Sequence, residues 1–266
     1  MNDTELLLKQ LPLGHNVEIL SWDPQTTLFA LNKSEGLRSH PNKPGIDKKS
    51  LLLAPYDLKE ECYLYETPDH ELVPVYLLNR LDAPTSGVIL LCLNKSLVPV
   101  IHKLFKNHKI KKTYSAITKN WLKIKEGTWK DNLSSKKIGE KVRTNQGEGR
   151  LAQTRFEFIE HNAKLNLSLV NLMPVTGLTH QLRVQGAIHK HPILGDKTYG
   201  DFSFNKEIQG ITSRKRLFLH SSQIDVSYVF EGKTYQFIAQ ASLPEDFNEV
   251  MKFNPKSDCT LTKRLL

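Results

Sequence analysis

Cysteine is scarce in this chain, with three among 266 residues. Cys62, Cys92 and Cys259 lie far apart and share no C-x-x-C spacing, which excludes a disulfide scaffold and offers no paired ligands for a metal or a redox centre. Long apolar runs are lacking too. The longest, Val88–Leu93, falls far short of the roughly 20 residues that cross a bilayer. The start, MNDTELLLKQLPLGHN, puts acids ahead of its few leucines and has no basic n-region, so it does not read as a signal peptide. These absences together predict a protein of the cytoplasm. Low hydrophobicity is not among them: 39% hydrophobic and 24% charged residues exclude wholesale disorder. A chain of this length hides roughly 70–75% of its extended surface on folding, enough for a substantial core.

Positive charge is present in excess, 37 Lys and Arg against 28 Asp and Glu, for a net +9. The excess is local. Residues 1–101 are net −4, residues 102–143 net +10 and residues 144–266 net +3. A surplus confined to so short a stretch points to a polyanionic partner, although a solvated lysine-rich face would look the same.

Along the chain, Glu18–Leu31 reads as two short strands around the Asp23-Pro24 turn, and Asn32–Gly45 as a loop dense in Gly, Pro and cations. Residues 67–82 look irregular and lead into Ser86–Leu93, a buried strand. Leu97, Val100, Ile101, Leu104 and Phe105 recur at helical spacing with Ser96 as the expected N-cap, leaving Lys103, Lys106 and Lys109 on the other face. Lys111–Thr118 alternates as a strand with Tyr114 on one face, and residues 126–150 read as a long hairpin or mobile loop. Further hairpins are expected over Arg155–Glu160 with Leu165–Asn171, and over Phe218–Phe230 with Thr234–Gln240. Thr179–Ile188 reads as a helix capped by Thr179. Strands outnumber helices without regular alternation, which predicts an α+β fold of mixed, mainly antiparallel sheet with flanking helices. We expect one domain over residues 1–266, its first 15 or so residues peripheral.

Two stretches could carry chemistry. In Asn79–Gly87 (NRLDAPTSG) an Arg and an Asp stand two apart in a Pro- and Gly-marked loop before a buried strand, although such an Asp commonly bonds its own backbone. Leu172–Gly200 is dense in His, Gly, Thr and Arg. His180, His189, His191 and Asp196 fit no zinc spacing, so no metal is expected. No G-x-S-x-G supports a hydrolase triad, and a hydrolase built on Asp82 and Asp196 has no motif behind it.

Read together, these segments carry a resemblance. NRLDAPTSGVILLCLN at 79–94 resembles the H-R-L-D-x-x-T-S-G motif of RluA-type RNA pseudouridine synthases. FKNHKIKKTYSA (105–116) resembles the family's Lys/Tyr strand, and residues 174–200 its P-x-T-G-R-T-H-Q-L-R … H-P-I-x-G-D … Y-G block. RLFLHS (216–221) resembles its R-L-x-L-H-A strand, and NKSEGLRSHP (32–41) its N-K-P loop. The matches run colinearly over about residues 30–225, and in appearance lie nearest the tRNA pseudouridine synthase C branch. The resemblance implies a pseudouridine synthase fold with a central active-site cleft, in which Asp82 is the catalytic aspartate and Tyr114 the tyrosine near the base. Arg183 would be the basic partner of that aspartate, and Arg80 would help hold the target nucleotide out of its stack. His180, Gln181, Lys106, Lys109, Lys111 and Lys112 complete the expected RNA-contacting set. Three positions depart from the family pattern: Asn79 and Gln185 stand where His is usual, and Leu178 where Arg is usual.

Turning uridine into pseudouridine breaks N1–C1′, turns the uracil and joins C5 to C1′. Neither a redox step nor an external group is required, so no cofactor is expected. A carboxylate could attack C1′ or abstract a sugar proton. Extruding the base costs a few kcal/mol, which suits a loop arginine and an aromatic ring. The expected partner is tRNA or rRNA, with no membrane and a monomeric enzyme. A non-catalytic RNA-binding or folding protein on the same scaffold is the alternative.

Overall fold

The computed structural model describes residues 3–43, 45–138 and 141–255; Cys259 lies outside them. In chain order the elements are α1 (Asp3–Gln10), β1 (Glu18–Trp22), β2 (Leu28–Lys33), β3 (Tyr56–Asp57), β4 (Cys62–Glu66), β5 (Leu72–Leu77) and β6 (Ser86–Cys92). A single 3-10 turn (Lys95–Leu97) then leads into α2 (Val98–Lys106), followed by β7 (Lys111–Lys119), β8 (Glu126–Ile138), β9 (Lys141–Gln146), β10 (Arg150–Asn162) and β11 (Leu167–Pro174). The rest is α3 (Gln181–Ile188), α4 (Phe202–Thr212), β12 (Leu219–Phe230), β13 (Lys233–Gln240) and α5 (Glu245–Lys252). These elements gather into two compact units, one of residues 1–112 and 221–241, the other of residues 113–220 and 242–266.

In the first unit β6 is the organising strand. Every one of its residues is buried, as its unbroken apolar run predicts, and it pairs antiparallel with β2 on one side and β5 on the other. The ladder continues outward through β1, paired with β2, and through β4 and β3 beyond β5. The β12–β13 hairpin closes over Glu231-Gly232, both at positive φ (48° and 75°), the conformation that a two-residue hairpin turn demands. Against this sheet α2 lays Ile101, with Leu104 and Phe105 at its margin, joining Leu28, Leu90, Val226 and Phe237 in one core. Cys92 is sealed in that core, and burial pushes its thiol up to about 12.

The second unit is an antiparallel succession β7–β11–β10–β8–β9. Two apolar clusters pack on it, one around Trp129, Phe156 and Leu172, the other around Leu167, Phe218 and Phe247 from α5. Residues 126–150 are thus mostly ordered strand, in a hairpin rather than a loose loop.

Several local expectations change. The segment 67–82, read as irregular, contains β5. Pro74 hides it in the sequence, but Pro74 faces Leu64 on β4 before pairing with β6 begins at Tyr76, so its missing N–H does not break that ladder. The turn before α2 is capped not by Ser96 but by Asn94, whose Oδ1 accepts from Ser96 N at 2.9 Å. Thr179 does not cap α3: the cap residue is His180 at φ 56°, and the Gln181 side chain instead reaches back to accept from Leu178 N at 3.0 Å. α4 and α5 have no counterpart in the sequence reading, though Asp201, accepting from Phe204 N, is an ordinary N-cap signal for α4.

Gly87 opens β6 at φ 107°, and a Cβ there would lie 2.2 Å from the Ser221 carbonyl oxygen. Gly87→Ala is therefore expected to lower unfolding free energy by more than about 2 kcal/mol, combining backbone strain with overpacking against main chain. Urea denaturation checks this; a change below about 0.5 kcal/mol would contradict it.

Candidate active site

Asp82 sits half-buried in a short loop between β5 and β6, and that loop is held chiefly by main-chain bonds. Ser39 Oγ donates to Leu81 O at 2.8 Å and accepts from Leu81 N at 2.9 Å, while Tyr63 Oη donates to Ser39 O at 2.7 Å. Gly36 N donates to Ala83 O and Thr85 N to Asp82 O, at 2.8 and 2.9 Å. The residues on either side of Asp82 are thus tied to the NKSEGLRSHP loop, some forty residues earlier in the chain. Arg80 is exposed. Burial, with help from Glu61, pushes the Tyr56 phenol up, and the Arg80 charge opposes that shift.

In the second unit, Tyr114 stands half-buried on β7 opposite Leu172 and leans on the Trp129 cluster. Arg183 projects from α3 with only 7% of its surface exposed, and Asp196 is 1% exposed. The two form a forked ion pair: Nε donates to Oδ2 at 2.7 Å and Nη2 to Oδ1 at 2.9 Å. Asp196 also accepts from Thr198 N and Tyr199 N at 2.8 and 3.1 Å. Burial opposes ionisation of Asp196, but the guanidinium and the two amides outweigh it and hold the carboxyl below its ordinary range. The Tyr199 ring lies 5.2 Å from the guanidinium carbon. Its hydroxyl meets His180 Nδ1 at 2.8 Å and accepts from Thr144 N at 2.9 Å, so β9 is pinned to the turn preceding α3.

A second buried network fixes α3 along its length. Gln185 Nε2 donates to Asp131 Oδ2 at 2.7 Å, and its Oε1 accepts from Thr154 Oγ1 at 2.6 Å. Gln181 Nε2 donates to Thr154 Oγ1 at 2.9 Å. Two of the three departures from the family pattern have structural roles here: Gln185 belongs to the network, and Leu178 packs against a small cluster of Leu133, Ala152 and Val184. The third, Asn79, accepts from Leu90 N at 2.7 Å and ties its loop to β6.

The four residues once imaginable as metal ligands have separate engagements. His180 meets Tyr199, His189 meets Asp131, His191 meets Lys119 O, and Asp196 holds Arg183. Of the expected RNA-contacting lysines, Lys106 and Lys109 are exposed, and Lys111 pairs with Asp225 at 3.3 Å. Lys112 is half-buried, and desolvation draws its ammonium below the usual lysine value.

The RNA pseudouridylate synthase family profile matches residues 27–187 of the chain. The chain belongs to that family. It is an RluA-type pseudouridine synthase, an enzyme of the isomerase class. The chain is 31% identical to tRNA pseudouridine synthase C of Haemophilus ducreyi, over 81% of its own length and 87% of that protein. With the ribosomal large subunit pseudouridine synthase C of Haemophilus influenzae it shares 33% identity over 66% of its length and 54% of that protein. A human structure titled RNA Pseudouridylate Synthase Domain Containing 4 superposes with TM-score 0.64 at 22% identity, covering 93% of this chain and 95% of that one, which establishes the synthase fold.

For this pseudouridine synthase the sequence reading missed the roles of Asp196 and Tyr199. Their H-P-I-L-G-D-K-T-Y-G segment was visible, but nothing in it announces that its carboxylate meets an arginine 13 residues earlier.

Asp196→Asn would remove the carboxylate charge that is forked against the buried Arg183 guanidinium, so unfolding free energy is expected to fall by about 3–5 kcal/mol at neutral pH. Because the folded carboxyl is depressed, this stabilisation is fully present above the unfolded carboxylate value and is lost as pH falls through the folded one. The wild-type advantage in urea unfolding should therefore shrink on acidification; one that stays constant from pH 7 to pH 3 would contradict the assignment.

Proposed function

We propose that this enzyme isomerises specific uridines in tRNA or rRNA, with Asp82 as the catalytic carboxylate. The observation that carries this reading is the placement of Asp82: a half-buried carboxylate in a loop whose flanking residues are fixed by Ser39 and Gly36. A carboxylate carried on backbone fixed in this way suits chemistry at C1′, where positioning supplies much of the rate. Relatives that carry tRNA and ribosomal large-subunit names support the substrate class.

In this reading Asp82 attacks C1′ or abstracts a sugar proton while the N1–C1′ bond breaks. The freed uracil turns, C5 bonds to C1′, the C5 proton leaves and N1 gains one. Tyr114 assists removal of the C5 proton, and Arg183 supplies positive charge for the carboxylate. Arg80 keeps the extruded nucleotide from restacking, and His180 and Gln181 contact the RNA. The reaction is redox-neutral and calls on no cofactor. Residues 1–266 work as one catalytic domain in a monomeric, cytoplasmic protein. Among the described residues no helix is long and apolar enough to cross a membrane.

Asp82→Ala should abolish pseudouridine formation while leaving fold and RNA affinity intact. Pseudouridine mapping of tRNA and rRNA from a deletion strain, complemented with wild type or the variant, reads this directly. Sites restored by the variant would favour the alternative of a non-catalytic RNA-binding protein.

RNA affinity should depend steeply on salt through the basic segment. The exposed Lys106 and Lys109 are the informative pair, since Lys111 is paired and Lys112 half-buried. Lys106→Glu with Lys109→Glu should weaken binding and lower the slope of log Kd against log salt by at least about 1.5. An unchanged slope would mark these lysines as a solvated face.

A further inference from the structure

α4 falls between the motif blocks at 174–200 and 216–221, and beyond residue 187, where the family profile ends. Between α4 and the segment leading into β12 lies a pocket of about 170 Å³, wholly within the second unit. Its lining includes the buried side chains of Leu194, Ile208 and Phe218. Phe202, the first residue of α4, also lines it yet keeps 62% of its surface exposed. A lone exposed phenylalanine is ordinary; one that lines an apolar pocket beside a cluster of cations is less so.

Five cationic residues line this pocket and, among the described residues, no carboxylate does. Two of the five are engaged with α5: Arg214 pairs with Glu249 at 2.5 Å and Arg216 with Asp246 at 3.2 Å. Lys197, Lys206 and Lys215 are exposed. The pocket is braced by its own chain. Asn205 Oδ1 accepts from Gly195 N at 2.8 Å and Asn205 Nδ2 donates to Asp196 O at 3.1 Å, which fixes α4 to the turn that precedes it.

We propose that this pocket binds an unpaired nucleotide of the RNA other than the target uridine, its base stacked on the Phe202 ring and its flanking phosphates held by Lys197, Lys206 and Lys215. The inference rests on the reading that the substrate is tRNA or rRNA, and asks nothing of Asp82. Charge decides the occupant. A second copy of this chain, docked about a two-fold axis, would bring the same three lysines to the contact, whereas a polyanion neutralises them. A double helix offers phosphates but no free base face. An unstacked nucleotide offers both, and stacking on an aromatic ring accepts any base. Contacts of this kind govern which RNA is held and leave the isomerisation itself unchanged.

The test compares wild type, Phe202→Ala, Phe202→Trp and the triple variant Lys197→Glu, Lys206→Glu, Lys215→Glu. Fluorescence anisotropy gives Kd for a labelled oligouridylate of about 10 nucleotides and for a blunt RNA duplex, and thermal melting is read on each free protein. Phe202→Ala should weaken oligouridylate binding about 5- to 100-fold and leave duplex binding within about twofold. Phe202→Trp should keep the wild-type affinity, and its added indole emission should be quenched by the oligouridylate. The triple variant should lower the slope of log Kd against log salt by about 2 for the single strand. Absence of oligouridylate binding by wild type overturns the inference, as does a Phe202→Ala affinity within about twofold of wild type. An equal loss on single strand and duplex overturns it as well, since the surface would then be a general basic face. So does a melting temperature lowered by more than about 4 °C in free Phe202→Ala, because the ring would then serve the packing of the chain. Pseudouridine mapping separates the layers. A wild type that modifies no tRNA or rRNA breaks the substrate reading, whereas a modifying wild type whose variants bind oligouridylate normally removes only the pocket.

Discussion

A guanidinium taken out of water must find its counter-charge within the protein, and Arg183 finds it in Asp196. Much of the second unit is arranged to make that pairing affordable. Asp196 is anchored by two backbone amides of its own turn, so the carboxylate cannot swing away. Gly195 precedes it at φ 76°, where any Cβ would strike the Arg216 carbonyl, so the chain turns there in a way open to glycine alone. On the arginine's side, α3 is held by Gln181 and Gln185 through Thr154 and Asp131, side chains on β10 and β8. Fixing both partners in advance removes the entropy that makes flexible ion pairs weak, and leaves a cation of fixed place and direction.

The first unit solves a different problem by similar means. The loop that carries Asp82 joins β5 to β6. Its order comes from hydrogen bonds to main chain: Ser39 to Leu81, Gly36 and Lys33 to Ala83, Asn79 to Leu90. All of these reach either the end of β2 and the loop after it, or the buried strand β6. Since β2 and β6 are themselves paired from Leu28 to Lys33, one rigid ladder supports both sides of the site loop.

The strands of that ladder were legible in the sequence; their pairing and the bracing were not. Val88–Leu93 reads as a buried strand because nothing polar interrupts it, and the Asp23-Pro24 and Glu231-Gly232 turns read from local backbone chemistry alone. β5 was missed because Pro74 is a local signal whose cost vanishes only when the neighbouring register is known. Asp82, Tyr114, Arg80 and Arg183 stood out through motif order rather than through chemistry, since each alone would pass for an ordinary loop or surface residue. Lys33 is the sharpest case. A lysine at the end of a strand reads as solvated, and only the convergence of Ser34, Leu37 and Ala83 carbonyls reveals an interior ammonium. Contacts that join residues fifty positions apart leave no local trace.

The same distinction bears on the three departures from the family pattern. Asn79 and Gln185 replace histidines, and Leu178 an arginine, which in the sequence looks like lost RNA-contacting charge. In the structure each does structural work: Asn79 accepts a β6 amide, Gln185 links α3 to β8 and β10, and Leu178 packs against Val184 and Leu133. None of them touches the clasp on Leu81 and Ala83, and none replaces the carboxylate of Arg183. Substitutions placed this way alter how the surrounding elements are bolted together while leaving the two charged groups where they stand.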